Sequence, residues 1–324
     1  MRTDMDEAYR TYTRRFMTPV KKLRETIGTA YLGNRQAVDR LVTCLLARGH
    51  ALIEDVPGVG KTTLASALAR SLQCSFGRVQ CTPDLLPSDV TGASVFLRDR
   101  GQFEFRPGPV FANIVLADEV NRATPRTQSA LLEAMGEGSV TVEGITHRLP
   151  QPFMVVATQN PYEFEGTYTL PENQLDRFLM RVTLGYPSPD DESRVILQQP
   201  GRTALPSIEP VMDAAGVIAM QEAVDCIRLA QPLVDYIIAL ASATREHEEL
   251  QLGVSPRGAL ALAQVARATA YMDERDFVTP EDIVGNAAAV FVHRIMPRGS
   301  MEFGDTHAAR RIVQHVLETV PSPA

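Results

Sequence analysis

Several residue types and patterns are scarce or missing in this chain of 324 residues, and each gap excludes a class of protein. There is no tryptophan. The few cysteines form no C-x-x-C pair, so neither a disulfide framework nor a thiolate metal site is expected. The six histidines are scattered and match no metal-ligand spacing. We expect reduced, partly buried thiols at all four cysteines, which are Cys44, Cys74, Cys81 and Cys226.

Excess positive charge and long apolar runs are missing as well. The 32 Lys and Arg are outnumbered by 39 Asp and Glu, which gives a net charge of −7, so the surface as a whole should not attract nucleic acid or anionic membrane. No apolar run approaches the roughly 20 residues of a membrane span, and the N-terminal residues contain no apolar signal segment. We therefore expect a cytoplasmic protein without a nucleic-acid partner. The length suggests about two domains.

The stretch HALIEDVPGVGKTTLASALARSL, residues 50–72, has the element order of a phosphate-binding loop: an apolar strand, a glycine turn and a helix that starts at Lys61. Glycines let the backbone N–H groups of such a turn point at anionic oxygens, and the helix N-terminus adds partial positive charge. Lys61 would reach the β- and γ-phosphates, and Thr62 would ligate Mg²⁺. Asp55 occupies the place of the first glycine in the usual pattern, and we expect the strand exit to tolerate it. The predicted nucleotide contacts in this loop are Pro57, Gly58, Val59, Gly60, Lys61, Thr62 and Thr63.

A second stretch, FANIVLADE, places two carboxylates at the end of a buried strand. Ligand sites of open parallel sheets lie outside the carboxyl ends of the strands, so these carboxylates should lie beside the phosphate loop. Asp118 would orient Mg²⁺ and its waters, and Glu119 would polarise the water that attacks the γ-phosphorus.

Four further candidates depend on their place in the predicted elements. Asn160 follows the apolar strand over residues 153–157, where an amide could hold the attacking water or sense the γ-phosphate. Arg177 ends a short helix. Its guanidinium would have a catalytic role if the nucleotide of a neighbouring subunit lies against it. Arg257 lies in the first turn of a helix, where a cation opposes the helix dipole unless an anion is near. Gly33 lies in an apolar turn that could pack on a purine ring.

The remaining pattern divides the chain in two. Up to residue 186, strands alternate with helices, and two hairpins are expected at about 95–106 and 140–149. The first hairpin either covers a core edge or contacts a substrate or partner. A Pro-rich linker over residues 186–189 follows, and beyond it only helical runs are found, at about 190–199, 212–228, 232–245, 257–271, 280–294 and 306–320. Near the N-terminus, Val20, Leu23 and Ile27 form the apolar stripe of a helix; it either packs on the main domain or serves as a partner-docking arm.

The motifs together resemble the MoxR family of AAA+ ATPases between Tyr31 and Pro297. The resemblance is carried by EDVPGVGKTT, TPDLLPSDVTG, GQFEFRPGPVFANIVLADEVNRATPRTQSALLEAM, VVATQNP, LPENQLDRFLMR and SPRGAL. It implies an α/β fold: a P-loop αβα sandwich with a five-stranded parallel sheet, the AAA+ core, followed by an all-helical lid. The implied limits are an N-terminal helical extension at 1–27, the core at 28–186 and the lid at 187–324. The two hairpins match the inserts of the helix-2-insert clade.

The resemblance also implies roles, cofactors and partners. Lys61 and Thr62 would form Walker A, Asp118 and Glu119 Walker B, and Asn160 sensor 1. Arg177 would be the finger that acts in trans, and Arg257 would be sensor 2 on the lid. The implied cofactors are ATP and Mg²⁺. Similar proteins assemble as rings, for which we expect a hexamer here, and act as chaperone-like maturation factors, often with a von Willebrand factor A domain partner.

Two other functions remain open from the sequence. A self-contained P-loop phosphotransferase would use the same loop on a small molecule and would need no arginine from a second subunit. A non-hydrolysing scaffold would only hold nucleotide, which the Asp118–Glu119 pair disfavours. The client, the role of the basic N-terminal segment, and base recognition beside Asn34 stay undetermined.

Overall fold

The computed structural model describes residues 19–160, 167–299 and 306–323. Residues 1–18 of the predicted extension and Pro161 of the VVATQNP motif lie outside this part. The strands are β1 Ala51–Glu54, β2 Phe76–Gln80, β3 Gly92–Leu97, β4 Gln102–Pro107, β5 Ile114–Asp118, β6 Ser139–Val142, β7 Ile145–Arg148, β8 Met154–Gln159, β9 Met180–Val182, β10 Leu250–Leu252 and β11 Met296–Pro297.

The helices follow the predicted runs closely. They are α1 at 19–30, α2 Arg35–Leu46, α3 Lys61–Ser71, α4 Pro87–Thr91, α5 Pro125–Glu137, α6 Glu172–Leu175, α7 Pro189–Gln198, α8 Pro200–Thr203, α9 Ala214–Asp225, α10 Gln231–Glu246, α11 Pro256–Met272, α12 Pro280–Phe291 and α13 Thr306–Thr319. Several begin at a capping residue followed by proline, as for Ser255, whose hydroxyl accepts the N–H of Gly258. At the start of α12, Asp282 accepts the N–H of Thr279, which forms a capping box.

A five-stranded parallel sheet in the order β2-β5-β8-β1-β9 organises the first half of the chain, as predicted. Because side chains alternate across a strand, neighbouring residues of one strand enter different cores. In β1, Ala51 and Ile53 join the core under α1, α2 and α3, whereas Leu52 joins the core under α4 and α5. The inner strands β1, β5 and β8 are therefore covered on both faces, and their polar residues lie at the carboxyl ends.

Both predicted hairpins are present, and they pack against each other. The turn of the β6–β7 hairpin consists of Glu143 and Gly144, both with positive φ, as a two-residue turn of type I′ requires. The ring of Phe105 on β4 stacks on His147 of β7 with centroids 4.0 Å apart, and Phe111 contacts the edges of both rings. The hairpins thus form one projecting unit.

The second half is a helical lid, with one addition that helical periodicity does not indicate. Strands β10 and β11 pair antiparallel and tie the end of α10 to the segment after α12. Three residues or fewer are too short to give an alternating pattern in the sequence. The lid also shares its core with the first half: Val20, Leu23 and Ile27 of α1 are buried in the same cluster as Leu240 of α10 and Val265 of α11. The predicted apolar stripe of α1 is therefore a packing surface.

None of the helices within the described residues is long and apolar enough to cross a bilayer. All four cysteines are free thiols; Cys44 and Cys81 are buried, and Cys226 is exposed.

Candidate nucleotide site

The glycine turn between β1 and α3 has the backbone geometry that a phosphate cradle needs. Gly58 and Gly60 adopt φ of 86° and 91°, a region that favours glycine, and Gly60 is the N-cap of α3. The helix therefore begins at Lys61, as predicted, with its first N–H groups directed at the turn. Thr62 and Thr63 lie in this first turn and are half-buried.

Asp55, which departs from the usual loop pattern, has a structural role. Its Oδ2 accepts the backbone N–H groups of Leu184 and Gly185 at 2.8 and 2.7 Å, and its Oδ1 accepts the N–H of Val56. The carboxylate thus ties the end of β1 to the chain that leaves β9. From the sequence we expect only that the strand exit tolerates Asp55. In the structure, its carboxylate holds the base of the loop.

The Lys61 ammonium lies at the carboxyl-end edge of the sheet. It donates to the carbonyl oxygen of Asp55 and to that of Gln159, the latter at 3.2 Å. Partial burial lowers the pKa of Lys61, and the nearby carboxylates of Asp55, Asp118 and Glu119 oppose that shift. Lys61 thus lies between the loop and the end of β8, where it can move to a phosphate.

Asp118 and Glu119 lie at the end of β5 and are fixed by neighbours that the sequence analysis did not single out. The buried hydroxyl of Thr158 donates to Asp118 Oδ1 at 2.6 Å and accepts the N–H of Glu119 at 2.8 Å. Glu119 itself has a φ of 57°, which is unusual for a residue with a side chain. Thr158 therefore fixes both the carboxylate of the first acid and the backbone of the second.

Three cationic or amide groups contact the two carboxylates. Arg78 of β2 donates to Asp118 Oδ2 at 3.0 Å, and Arg122 donates to Glu119 Oε2 at the same distance. Gln80, also on β2, donates to Glu119 Oε2 at 3.3 Å. Only the pairing of β2 with β5 brings Arg78 and Gln80 here, so no local sequence signal marks them.

Asn160 directly follows β8, beside β1 in the sheet, and is almost fully buried. The carboxyl ends of β1, β5 and β8 therefore bring Lys61, the Asp118–Glu119 pair and Asn160 to one edge, as predicted.

A cleft of about 350 Å³ opens beside the loop. Its walls are Ala30, Tyr31 and Leu32 on one side and the α7–α8 segment on the other. Burial raises the pKa of Tyr31 to about 12, and its ring packs beneath Gly60. A side chain at Gly33 would collide with the Tyr31 hydroxyl, so Gly33 shapes this wall. The α7–α8 wall, with Val195 and Arg202, was not predicted.

Asn34 has a local explanation. Its side chain accepts the N–H of Gln36 and so caps α2.

Arg177 and Arg257 do not lie with the other candidates. Arg177 precedes β9, and the N–H of Leu179 bonds the carbonyl oxygen of His50 at 2.8 Å, which puts this segment at the amino-end edge of the sheet. The four residues of β1 separate the two edges by roughly 13 Å. Arg177 donates to the carbonyl oxygen of Leu132 on α5 at 2.6 Å and packs over Gly136. It is half-buried and far from its own phosphate loop.

The start of α11 lies at the same edge. The hydroxyl of Ser255 donates to Asp176 Oδ2 at 3.1 Å, so Arg257, two residues later, is near the Asp176–Arg177 segment. Arg257 is exposed.

Arg294 also binds the Asp176 segment, and so it holds the lid against the core at this edge of the sheet. It is 4% exposed and donates through Nε to Asp176 Oδ1 at 2.8 Å, and through its other nitrogens to the carbonyl oxygens of Phe178, Leu179 and Val290. Burial lowers the pKa of Arg294 to about 10, and Asp176 opposes that shift.

The residues at the carboxyl-end edge fit Mg²⁺ and a triphosphate. Mg²⁺ binds through one or two protein oxygens plus phosphates and waters. The Thr62 hydroxyl in the first turn of α3 and the Asp118 carboxylate at the end of β5 would supply such oxygens at this edge. The described part of the chain contains no cluster of three or more His, Cys, Asp or Glu that could hold a metal without such help.

Comparison with known proteins agrees with this geometry. Residues 50–180 match the model of the ATPase family associated with various cellular activities (AAA), and residues 242–316 match the AAA lid domain. The chain is 47% identical to the uncharacterized protein YeaC of Bacillus subtilis over 93% of this chain and 94% of that one. It is 39% identical to the chaperone MoxR1 of Mycobacterium tuberculosis over 90% of this chain and 79% of that one.

A crystal structure from Cytophaga hutchinsonii, solved as a candidate ATPase, superposes with a TM-score of 0.90 at 35% identity and covers 99% of this chain and 100% of its own. The parallel sheet, the glycine turn, the lid and these relatives agree with one another: the chain belongs to the MoxR family of AAA+ ATPases and is an enzyme that binds and hydrolyses ATP.

Proposed function

We propose that this ATPase hydrolyses ATP at sites shared between two copies of the chain in a ring, and that the energy is used to remodel a protein client. The observation that carries the proposal is the separation of the two arginines from the phosphate loop. Arg177 and Arg257 lie at the amino-end edge of the sheet, whereas Lys61, Asp118 and Glu119 lie at the carboxyl-end edge. These guanidinium groups therefore suit the nucleotide of a second copy.

Each residue would then have a defined part in the reaction. The N–H groups of the glycine turn and the Lys61 ammonium would bind the β- and γ-phosphates, and Asn160 would orient the attacking water. Glu119 would polarise that water and accept its proton. Mg²⁺, held by Thr62 and Asp118, would neutralise phosphate charge when bound. Arg177 and Arg257 of the second copy would stabilise the charge on the transferring phosphoryl group.

Two substitutions separate binding from hydrolysis. Lys61→Ala should abolish binding of a fluorescent ATP analogue, because the phosphates lose their principal cation. Glu119→Gln should bind the analogue but release no phosphate, because the amide cannot accept a proton. Turnover at the wild-type rate in Glu119→Gln would remove Glu119 from its proposed role.

Mixing two inactive variants tests the shared site. An Arg177→Ala subunit keeps its own Glu119, and a Glu119→Gln subunit keeps its Arg177, so some interfaces in a mixture hold both wild-type groups. In a random equal mixture about one quarter of the head-to-tail interfaces are complete, so phosphate release should recover to about that fraction. Absence of recovery at every ratio would favour the self-contained phosphotransferase.

The finer points of the proposal rest on family membership and on the two hairpins. Phe96, Phe103 and Ile145 on the hairpins are exposed, so the hairpins offer an apolar contact for a protein client. A hexameric ring, a von Willebrand factor A domain partner and the cytoplasmic location predicted from the sequence belong to the same proposal. Capture of clients by the ATP-locked Glu119→Gln variant, with Phe103→Ser as the comparison, would identify the client and test the hairpin contact.

A further inference from the structure

Helix α7 is amphipathic in sequence but has no buried residue over its ten positions. Ile196 and Leu197 are 68% and 80% exposed, and Val195 before them lines the nucleotide cleft. An apolar surface of this kind beside a functional cleft is typical of an interaction site. We define the exposed Ile196 and Leu197 as the α7 patch.

Exposed apolar side chains also lie just before α11 and in its first turns, which contain Arg257. Leu260 follows Arg257 by three residues, so both side chains lie on one face of α11. Leu260 is 65% exposed. Leu252 of β10 is also exposed, and it lines the same surface cleft as Ser255 and Pro256 at the start of α11. We define Leu252 and Leu260 as the α11 patch.

The charges beside the two patches are of opposite sign. The first turn of α7 contains Asp190, Asp191 and Glu192; among the residues that the structure describes, only Asp191 of these three pairs with a cation, Arg194. Next to the α11 patch, Arg257 is exposed and Arg245 lines the cleft together with Glu172. Asp176 in that cleft is neutralised by Arg294. With Arg194 of α7 and Arg202 of α8 set against the three acids, the α7 side keeps one excess negative charge. Arg245 and Arg257 set against Glu172 leave the α11 side one excess positive charge, so the signs favour association of the two patches.

We propose that the α7 patch of one copy packs against the α11 patch of the next copy. This inference rests on the proposed function, since the shared site requires a second copy whose Arg177 and Arg257 face the first copy's nucleotide. The two patches are different surfaces of one chain, so the contact is head-to-tail and closes into a ring if the rotation permits. The contact joins the wall of the nucleotide cleft to the helix that holds Arg257, so assembly and completion of the site occur together.

The test uses opposite charges in the two patches. Leu197→Lys and Leu260→Glu should each shift assembly, measured by light scattering after size exclusion with ATP in the Glu119→Gln background, to a protein concentration at least about tenfold higher. Because both residues are exposed, the thermal unfolding of the two variants and their binding of the ATP analogue should match the parent. Ile238→Glu, which places the same charge at a 52% exposed position on α10 outside both patches, is the matched control and should assemble as the parent does.

An equal mixture of the two variants then gives the decisive result. In a ring of alternating subunits, one interface pairs the lysine of the Leu197→Lys subunit with the glutamate of the Leu260→Glu subunit. The next interface is wild type at both positions, so the mixture should assemble better than either variant alone. Assembly of both single variants at the parent concentration, or no gain in the mixture, would overturn the α7–α11 contact.

The complementation of Arg177→Ala by Glu119→Gln separates this inference from the proposed function. If the α7–α11 contact fails its test while those two variants still complement each other, the shared site stands and only the contact is overturned. If the complementation fails while the α7 and α11 variants behave as expected, the shared site alone is overturned.

Discussion

At the scale of single residues, the candidate site depends on Thr158, whose role is visible only from its hydrogen bonds in the folded structure. Thr158 is fully buried, and its one hydroxyl fixes Asp118 and the backbone of Glu119. Glu119 needs that support because its positive φ is a strained conformation for a residue with a side chain. The two carboxylates are therefore oriented by a residue that is distant in sequence and adjacent in the sheet.

Replacement of Thr158 by valine should lower kcat with little effect on nucleotide binding. Valine keeps the shape but removes both hydrogen bonds, so Asp118 and Glu119 lose their orientation, which costs about 10- to 100-fold in rate. Phosphate release at saturating ATP measures kcat, and titration with a fluorescent ATP analogue measures nucleotide binding. Thr158→Ser keeps the hydroxyl and should remain close to wild type; an unaltered kcat in Thr158→Val would contradict the assigned role.

At the scale of elements, the phosphate loop shows how a departure from a motif is built into the fold. Asp55 replaces a glycine of the usual pattern, yet its carboxylate accepts two N–H groups from the chain that leaves β9. The loop is thereby fastened to the edge strand as well as to α3. A buried N–H without a partner is costly, so this carboxylate stabilises both segments.

Restoring the usual glycine should therefore harm the protein. Asp55→Gly leaves the N–H groups of Leu184 and Gly185 without an acceptor. Each such loss costs about 1–3 kcal/mol, so the free energy of unfolding should fall by about 2–6 kcal/mol. Urea denaturation without nucleotide measures the change. Asp55→Asn retains one acceptor oxygen and should lose less. Equal or greater stability of Asp55→Gly would refute this account.

At the scale of the whole molecule, the lid and the core are fixed to each other at the edge that holds the two arginines. Arg294 of the lid binds Asp176 and the carbonyl oxygens before β9, and Ser255 at the start of α11 binds the other oxygen of Asp176. The segment that contains Arg177 and the helix start that contains Arg257 are therefore held by the same contacts. In the proposed ring, these contacts would couple the position of the lid to the shared site.

Asp176→Asn should impair hydrolysis in trans while sparing the variant's own nucleotide binding. The substitution leaves the Arg294 charge buried without its counter-charge, which should cost about 3 kcal/mol of stability, and it frees the segment that precedes Arg177. We expect kcat, measured by phosphate release at saturating ATP, to fall at least about tenfold, because the two guanidinium groups lose their fixed position.

Mixing distinguishes this positioning role from general damage to the fold. Asp176→Asn subunits have an intact loop, so Glu119→Gln subunits should restore activity to them, as expected for Arg177→Ala. Ser255→Gly, which keeps an acceptable helix cap but loses the bond to Asp176, should show a weaker form of the same defect. If Glu119→Gln subunits restore nothing, Asp176 acts within its own nucleotide site.

The sequence by itself determined the local parts of this protein. Apolar runs predicted the strands, helical periodicity predicted the lid helices, and the glycine turn before Lys61 indicated the phosphate cradle, because each feature depends on neighbours within a few residues. The rule that ligands bind outside the carboxyl ends of parallel strands then predicted Asp118 and Asn160 near the loop. Only the tertiary structure decided the contacts of Thr158, Asp55 and Asp176, and the far edge on which Arg177 and Arg257 lie. Those contacts join residues distant in the chain, and no local pattern encodes which strand ends or helix starts meet.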